Sequence, residues 1–174
     1  MTGPIFIAIA LIVVRTASAD DLTHDARQTL QQLVTHNPAA AKVNSHAMAV
    51  LVFPDVVKAG FIVGAQGGKG VLFRHVHPSG RYRTVAASNG LQAGAQKYGY
   101  AFFFMDQKTL DWVSNTRGWE IGTGPSVVIV DTGMAKSLTT TTLRKGVYAF
   151  AFSRKGLMAG LGLQGSKITE IHPN

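Results

Sequence analysis

The sequence predicts an α+β protein with β-structure dominant: a curved antiparallel sheet, or small barrel-like sheet, of short strands, with an N-terminal amphipathic helix and one short internal helix. Three observations predict it. Short apolar runs bounded by Gly, Pro or Asn recur from Met48 to Ile171. Two segments have helical spacing behind acidic capping residues. Two late runs alternate large with small side chains, which suits a strongly curved sheet.

The chain opens on "IFIAIALIVV", ten apolar residues, followed by "RTASAD" with a small-residue cleavage site at Ala17-Ser18-Ala19. Ten helical residues span about 15 Å, half a hydrocarbon core, so residues 1–19 read as a secretory signal peptide and 20–174 as one domain. In "DDLTHDARQTLQQLV", Leu22, Ala26, Leu30, Leu33 and Val34 fall on one helical face behind Asp20 and Asp21, and Asn37-Pro38 ends the helix. Packing on the sheet suits this helix better than lying in a bilayer interface, because its polar face is poor in lysine. "AAAKVNSHA" leads into the strands "MAVLVF", "AGFIVG", "GVLFRHV", "RYRTVAAS" and "YAFFFM". Asp106 then caps a second helix carrying Leu110, Trp112 and Val113, and Gly118 follows it. "SVVIVD", "GVYAFAFS", "GLMAGLGLQG" and "SKITEI" return to strand, with Tyr148, Phe150 and Phe152 expected to face the core and Val147, Ala149 and Ala151 the other way.

Composition narrows the function. The 174 residues are 46% hydrophobic with 19 glycines and 15% charged, enough for one buried core. The absence of cysteine removes disulfides, thiolate metal sites and cysteine nucleophiles. Beyond residue 19, 16 Lys and Arg stand against 9 Asp and Glu, a net +7 that favours anionic partners. Export directs that charge to lipid headgroups or acidic polysaccharide, and no nucleic acid is expected.

"GFIVGAQGGKGVLF", Gly60 to Phe73, invites a nucleotide reading and fails it. A P-loop requires G-x-x-x-x-G-K-[ST], but three residues separate Gly64 from Gly68, and Gly70 stands where the hydroxyl belongs. The phrase recurs instead: "GAQGGK" (Gly64 to Lys69) and "GLQGSK" (Gly162 to Lys167) share G-x-Q-G-x-K, with a looser relative in "GLQAGAQK" (Gly90 to Lys97). Gly60, Gly64, Gly67, Gly68, Gly94, Gly162 and Gly165 are therefore expected at turns between strands. Equivalent strand ends would gather Lys69, Lys97 and Lys167 on one rim.

Together "AVLVFPDVVKAGFIVGAQGGKGVL", "GLQAGAQ", "GTGPSVVIVD" and "VYAFAFSRKGLMAGLGLQGSKI" resemble the SYLF domain family, over about Ala47 to Ile171. The resemblance implies lipid binding, with phosphoinositides as eukaryotic ligands and actin filaments as partners of some fungal members. For an exported bacterial member it implies anionic lipids such as phosphatidylglycerol, cardiolipin or lipopolysaccharide.

Catalytic chemistry finds little footing. His75 and His77 share a strand face without a third ligand, no G-x-S-x-G elbow occurs, and the carboxylates do not pair. A non-enzymatic protein without a cofactor or metal is the reading. Headgroup candidates are Lys58, Lys69, Arg74, Lys97, Arg144, Lys145, Arg154, Lys155 and Lys167, with Arg81 and Arg83 as further basic neighbours. The expected setting is the periplasmic or cell-surface side of a bacterial envelope. The alternative is a scaffold module whose basic surface meets an acidic protein or actin-like filament.

Overall fold

The computed structural model describes residues 18–60, 63–89, 94–158, 163 and 165–172. The expected signal peptide lies outside them except for Ser18 and Ala19, and so does Gly162.

Helix α1 (Ala19–His36) begins with a capping box: the Ser18 hydroxyl oxygen accepts from the Asp21 amide at 3.2 Å, and Asp21 Oδ2 accepts from the Ser18 amide at 3.1 Å. It stops at Asn37, as expected, but the chain re-enters a helix, α2 (Pro38–Asn44), instead of running straight to a strand. Asn37 caps this second helix by accepting from the Ala40 amide at 2.9 Å, and Pro38 sits at the start, where a missing N–H costs nothing. Helix α3 (Gln107–Asn115) follows Asp106 as expected, and a further short helix, α4 (Thr132–Ser137), is capped by Asp131.

The strands are β1 (Ala49–Gly60), β2 (Val63–Arg74), β3 (His77–Asn89), β4 (Gly94–Phe104), β5 (Trp119–Glu120), β6 (Val127–Ile129), β7 (Val147–Ser153), β8 (Gly156–Leu157) and β9 (Lys167–Glu170). Among the described residues they form one sheet in the order β5-β9-β3-β2-β1-β4-β7-β6, with β8 paired to β7. All pairings are antiparallel except β6 with β7. The β-dominant α+β class and the curved sheet are as expected. Strands β1 to β4, however, are 11 to 13 residues long, not short.

The curl follows from ring contacts. Laid flat, β5 would stand five strand spacings from β4, about 24 Å. Yet Trp119 of β5 lies 5.8 Å from the Phe102 ring and 6.2 Å from the Phe104 ring of β4. The inner face of the curl buries Leu51, Phe53, Tyr98, Tyr100, Phe102, Phe104, Trp119 and Ile168, with Leu110 and Val113 of α3. The outer face buries a second core beneath α1 and α2: Val50, Val52, Val71, Phe73, Ala101 and Phe103 against Ala26, Leu33, Ala39, Ala40 and Val43. Both faces of β7 are thus buried. Its large Tyr148 and Phe150 turn to the helices, while Val147, Ala149 and Ala151 leave room inside the curl for the aromatic side chains of β4.

The glycine phrase is not a turn. Gly64, Gly67 and Gly68 lie within β2, and Gly94 opens β4. Of the expected turn glycines among the described residues, Gly60, at the end of β1 (φ 147°), and Gly165, ahead of β9 (φ 76°), have the positive φ that the turn reading required, and Gly64, Gly67 and Gly68 do not. The glycines of β2 serve close approach. β1 carries an extra residue, shifting register against β2 between Val52 and Asp55 and against β4 between Phe53 and Val56. Pro54, which cannot donate to either neighbour, sits in that bulge. The bulged backbone leans onto β2: a Cβ at Gly68 would collide with the Asp55 carbonyl oxygen, and one at Gly70 would fall 2.6 Å from the Val52 carbonyl oxygen and 2.7 Å from the Phe53 ring.

Asp106 pins the other end of the sheet. Its Oδ1 accepts from the Thr109 amide at 2.9 Å and its Oδ2 from the Gly146 amide at 2.7 Å, tying α3 to the strand entry of β7. Burial pushes this carboxyl up. The backbone bonds from Thr109 and Gly146, with the Thr109 hydroxyl and the charge of Lys145, outweigh that and hold it below its ordinary value.

Two outcomes follow. Gly70→Ala should cost about 1–3 kcal/mol in thermal or denaturant unfolding through overpacking, whereas Gly133→Ala, with no atom nearer than 3.4 Å, should stay within about 0.5 kcal/mol. Asp106→Ala should cost about 1–2 kcal/mol at neutral pH. Because the folded pKa is depressed, the carboxylate's contribution is present above the unfolded value of about 4 and lost as pH falls through the folded value. The stability gap between wild type and Asp106→Ala should accordingly narrow below about pH 4; a gap of constant size would overturn this account.

Candidate functional site

The β1 bulge marks where the helical layer over the outer face stops. On the far side of it, Asp55, Val57, Lys69, Arg83, Val85, Lys97 and Lys167, all of outward parity, are open to solvent. One row crosses five strands through Lys97, Val57, Gly67, Val85 and Lys167, and the next holds Asp55, Lys69, Arg83 and Thr169. Val57 is 44% exposed and Val85 51% exposed, the small residues Ala59, Ala65 and Ala87 continue the surface, and Arg81 follows Arg83 on the same face. The first row spans four strand spacings, about 19 Å. Five cations border a low, partly apolar plate, with Asp55 at one side and Glu120 beside Lys167 at the other.

A groove of about 1010 Å³ adjoins this plate. Its walls come from the last turns of α1 (Leu33, His36), from the bulge (Pro54, Asp55), from β4 (Lys97, Tyr98, Gly99) and from the β7–β8 hairpin (Phe152 to Leu157, including Arg154 and Lys155). The Lys97 ammonium pairs with Asp55 Oδ1 at 2.9 Å, both side chains about half exposed, so the pair is screened and adds little stability. It places one carboxylate at the junction of groove and plate.

Beneath the plate, on the inner face, the two copies of the G-x-Q-G-x-K phrase meet. Gln66 of the first donates from Nε2 to the Ser166 hydroxyl of the second at 3.3 Å, and Tyr98 donates its hydroxyl to Gln66 Oε1. The Tyr98 ring lies 5.0 Å from that of Tyr100 at a tilt of 58°, and burial raises both phenols above their ordinary values, so they stay neutral. This cluster holds β2, β4 and the entry to β9 in register under the exposed lysines.

Of the cations expected at a headgroup site, the structure gathers Lys69, Lys97 and Lys167 on the plate and adds Arg154 and Lys155 at the groove. Lys58 does not join them: it pairs in register with Gln66 and Gln96 and takes the inner parity. Arg74 ends β2 at the opposite end of the sheet, opposite Ala49 and His77, and Arg144 and Lys145 lie in the loop before β7 at that same end. Val57, Val85 and Asp55 were missed as site residues. Alternation was the available signal, since Arg81, Arg83 and Val85 share parity within "RYRTVAAS".

Among the described residues no three histidines or carboxylates gather into a metal-binding group, and no helix is long and apolar enough to cross a membrane.

No curated protein sequence matches the chain. The Ysc84 family model, described as "Las17-binding protein actin regulator", matches residues 85–172, just over half of the 174 residues and the part running from β3 at Val85 through β9. It takes in the aromatic inner row of β4, helix α3, both residues of the β7–β8 turn and Lys167. The resemblance carried by the strand runs and glycine phrases is a true kinship: the chain belongs to the Ysc84 (SYLF) family.

Proposed function

We propose that this protein binds anionic phospholipid surfaces without catalysis, through the bare outer plate and its adjoining groove, on the outward side of a bacterial envelope to which residues 1–19 direct it. The observation that carries this reading is the placement of Lys69, Arg81, Arg83, Lys97 and Lys167 around exposed Val57 and Val85 on a sheet face that none of the described helices covers. Near an anionic surface each such cation contributes about 1 kcal/mol, so five support peripheral, salt-sensitive attachment. The valines and alanines let the plate lie close to the headgroups, and Arg154 and Lys155 stand at a groove whose Leu33, Phe152 and Leu157 suit the apolar part of a lipid.

The family's description supports a second reading, in which an acidic protein such as an actin-like filament covers the same plate. Cosedimentation with filaments in the absence of lipid, lost in plate variants, would replace the first reading with the second.

Sedimentation with phosphatidylglycerol vesicles is the direct test. Binding should be strong at about 50 mM salt and lost near 1 M, where the screening length falls to about 3 Å. Lys69→Glu with Lys167→Glu should weaken it at least about tenfold, while Arg144→Glu, at the opposite end of the sheet, should leave it unchanged. Absence of binding at low salt, or equal loss with Arg144→Glu, would overturn the reading. Asp55→Asn removes the carboxylate that holds Lys97 and should tighten vesicle binding by about fivefold.

A further inference from the structure

Helix α3 turns one side into the inner core and leaves the other unclaimed by it. Thr109, Leu110 and Val113 are buried, whereas Lys108, Asp111, Trp112 and Asn115, spaced for one helical face, are exposed. They line a cleft of about 660 Å³ whose far wall is Pro125, Ser126, Lys145 and Gly146, at the end of the sheet opposite the bare plate. The volume lies in the range of small-ligand sites.

The walls are fixed. Ser126 accepts from the Val147 amide at 3.0 Å, and Asp106 holds both Gly146 and the start of α3. The Trp112 indole, 38% exposed, lies against Gly124, where a Cβ would fall 2.7 Å from ring atom Cζ2. Gly124 has φ 84°, so the chain leaves space for the indole at a position that favours glycine anyway. Asp111 is oriented by Gln107, whose Nε2 donates to its Oδ1 at 2.6 Å.

We infer that this cleft is a binding site for an acidic saccharide unit. A half-exposed indole on a rigid wall offers a flat apolar surface to the C–H face of a sugar ring. Asp111 accepts from ring hydroxyls, Asn115 both donates and accepts, and Lys108 and Lys145 face a carboxylate substituent. A nucleotide would also stack on indole and offer its phosphate to the two lysines, so a nucleoside monophosphate is the competing ligand in the test. A lipid chain would meet Lys108, Asp111 and Asn115 around Trp112 on the α3 wall. The cleft is independent of the plate proposed to meet lipid.

The chain has two tryptophans, which gives a clean readout. Trp119 is 1% exposed, with its indole N–H donated to the Thr123 carbonyl at 3.2 Å, so its indole NMR signal serves as an internal reference for the fold. Titration of the ¹⁵N-labelled full chain with trigalacturonate should move the Trp112 indole signal saturably, with Kd about 1 mM, and leave that of Trp119 in place. Lys108→Glu, an exposed change, should weaken binding at least about tenfold with the Trp119 signal unaltered, and maltotriose should give no saturable shift. A Trp112 signal unmoved at about 10 mM trigalacturonate, an undiminished response in Lys108→Glu, or an equal response to maltotriose or uridine monophosphate would each overturn the assignment.

Discussion

Where β1 carries one residue too many, its backbone must go somewhere, and it goes onto β2. The Val52 and Asp55 carbonyls and the Phe53 ring occupy the space that side chains at Gly68 and Gly70 would fill. A bulge of this kind bends its strand and sharpens the local twist. Here it lies in the centre of a long sheet, which curls until Trp119 meets Phe102 and Phe104. The same bulge is where the groove under the end of α1 meets the strands, so the helical cover stops there and the cationic plate begins.

Because the sheet is buried on both faces over its covered half, its strands show two kinds of alternation at once. In β4 the inner row is entirely aromatic and the outer row mixes Ala101 with Phe103; in β7 the sizes are reversed. Neighbouring strands thereby interleave, large against small, on each side of one sheet. Over the uncovered half, only the inner face is closed. There the sheet relies on Tyr98, Gln66 and Ser166, whose polar groups are partnered and neutral, and the outer face is free to hold charge.

Much of this was legible in the chain. The caps at Asp106 and ahead of Leu22 announced two helices because side-chain capping is a local event, confined to three or four residues. The family kinship and the β-dominant class were readable from run lengths and recurring phrases, whereas Lys69 and Lys97, expected at strand ends, lie inside β2 and β4 and share a face with Lys167 through strand register. The glycine phrase misled because a glycine needed for room and a glycine needed for positive φ look alike in sequence. Only the partner strand separates them, and the bulge that crowds Gly68 is a property of β1. Helix α2 was hidden because Pro38 breaks one helix and starts another with the same residue. Lys58 takes the face opposite to Lys69, Lys97 and Lys167 because the extra residue in β1 inverts its parity relative to a regular strand.

The bond from Gln66 to Ser166 spans 100 positions of chain, and β9 reaches the sheet only by pairing with β3 after the whole of β4 to β8 has intervened. Native contacts of such long range close late and slowly. Synthesis from the N-terminus would place α1 and strands β1 to β4 together first, with Tyr98 and Gln66 awaiting their third partner. Lys167 reaches its place at the plate in that same closing event. Lys69, Arg81, Arg83 and Lys97 would already share a face once β1 to β4 had paired, so a chain arrested before that step would show the plate without its far corner.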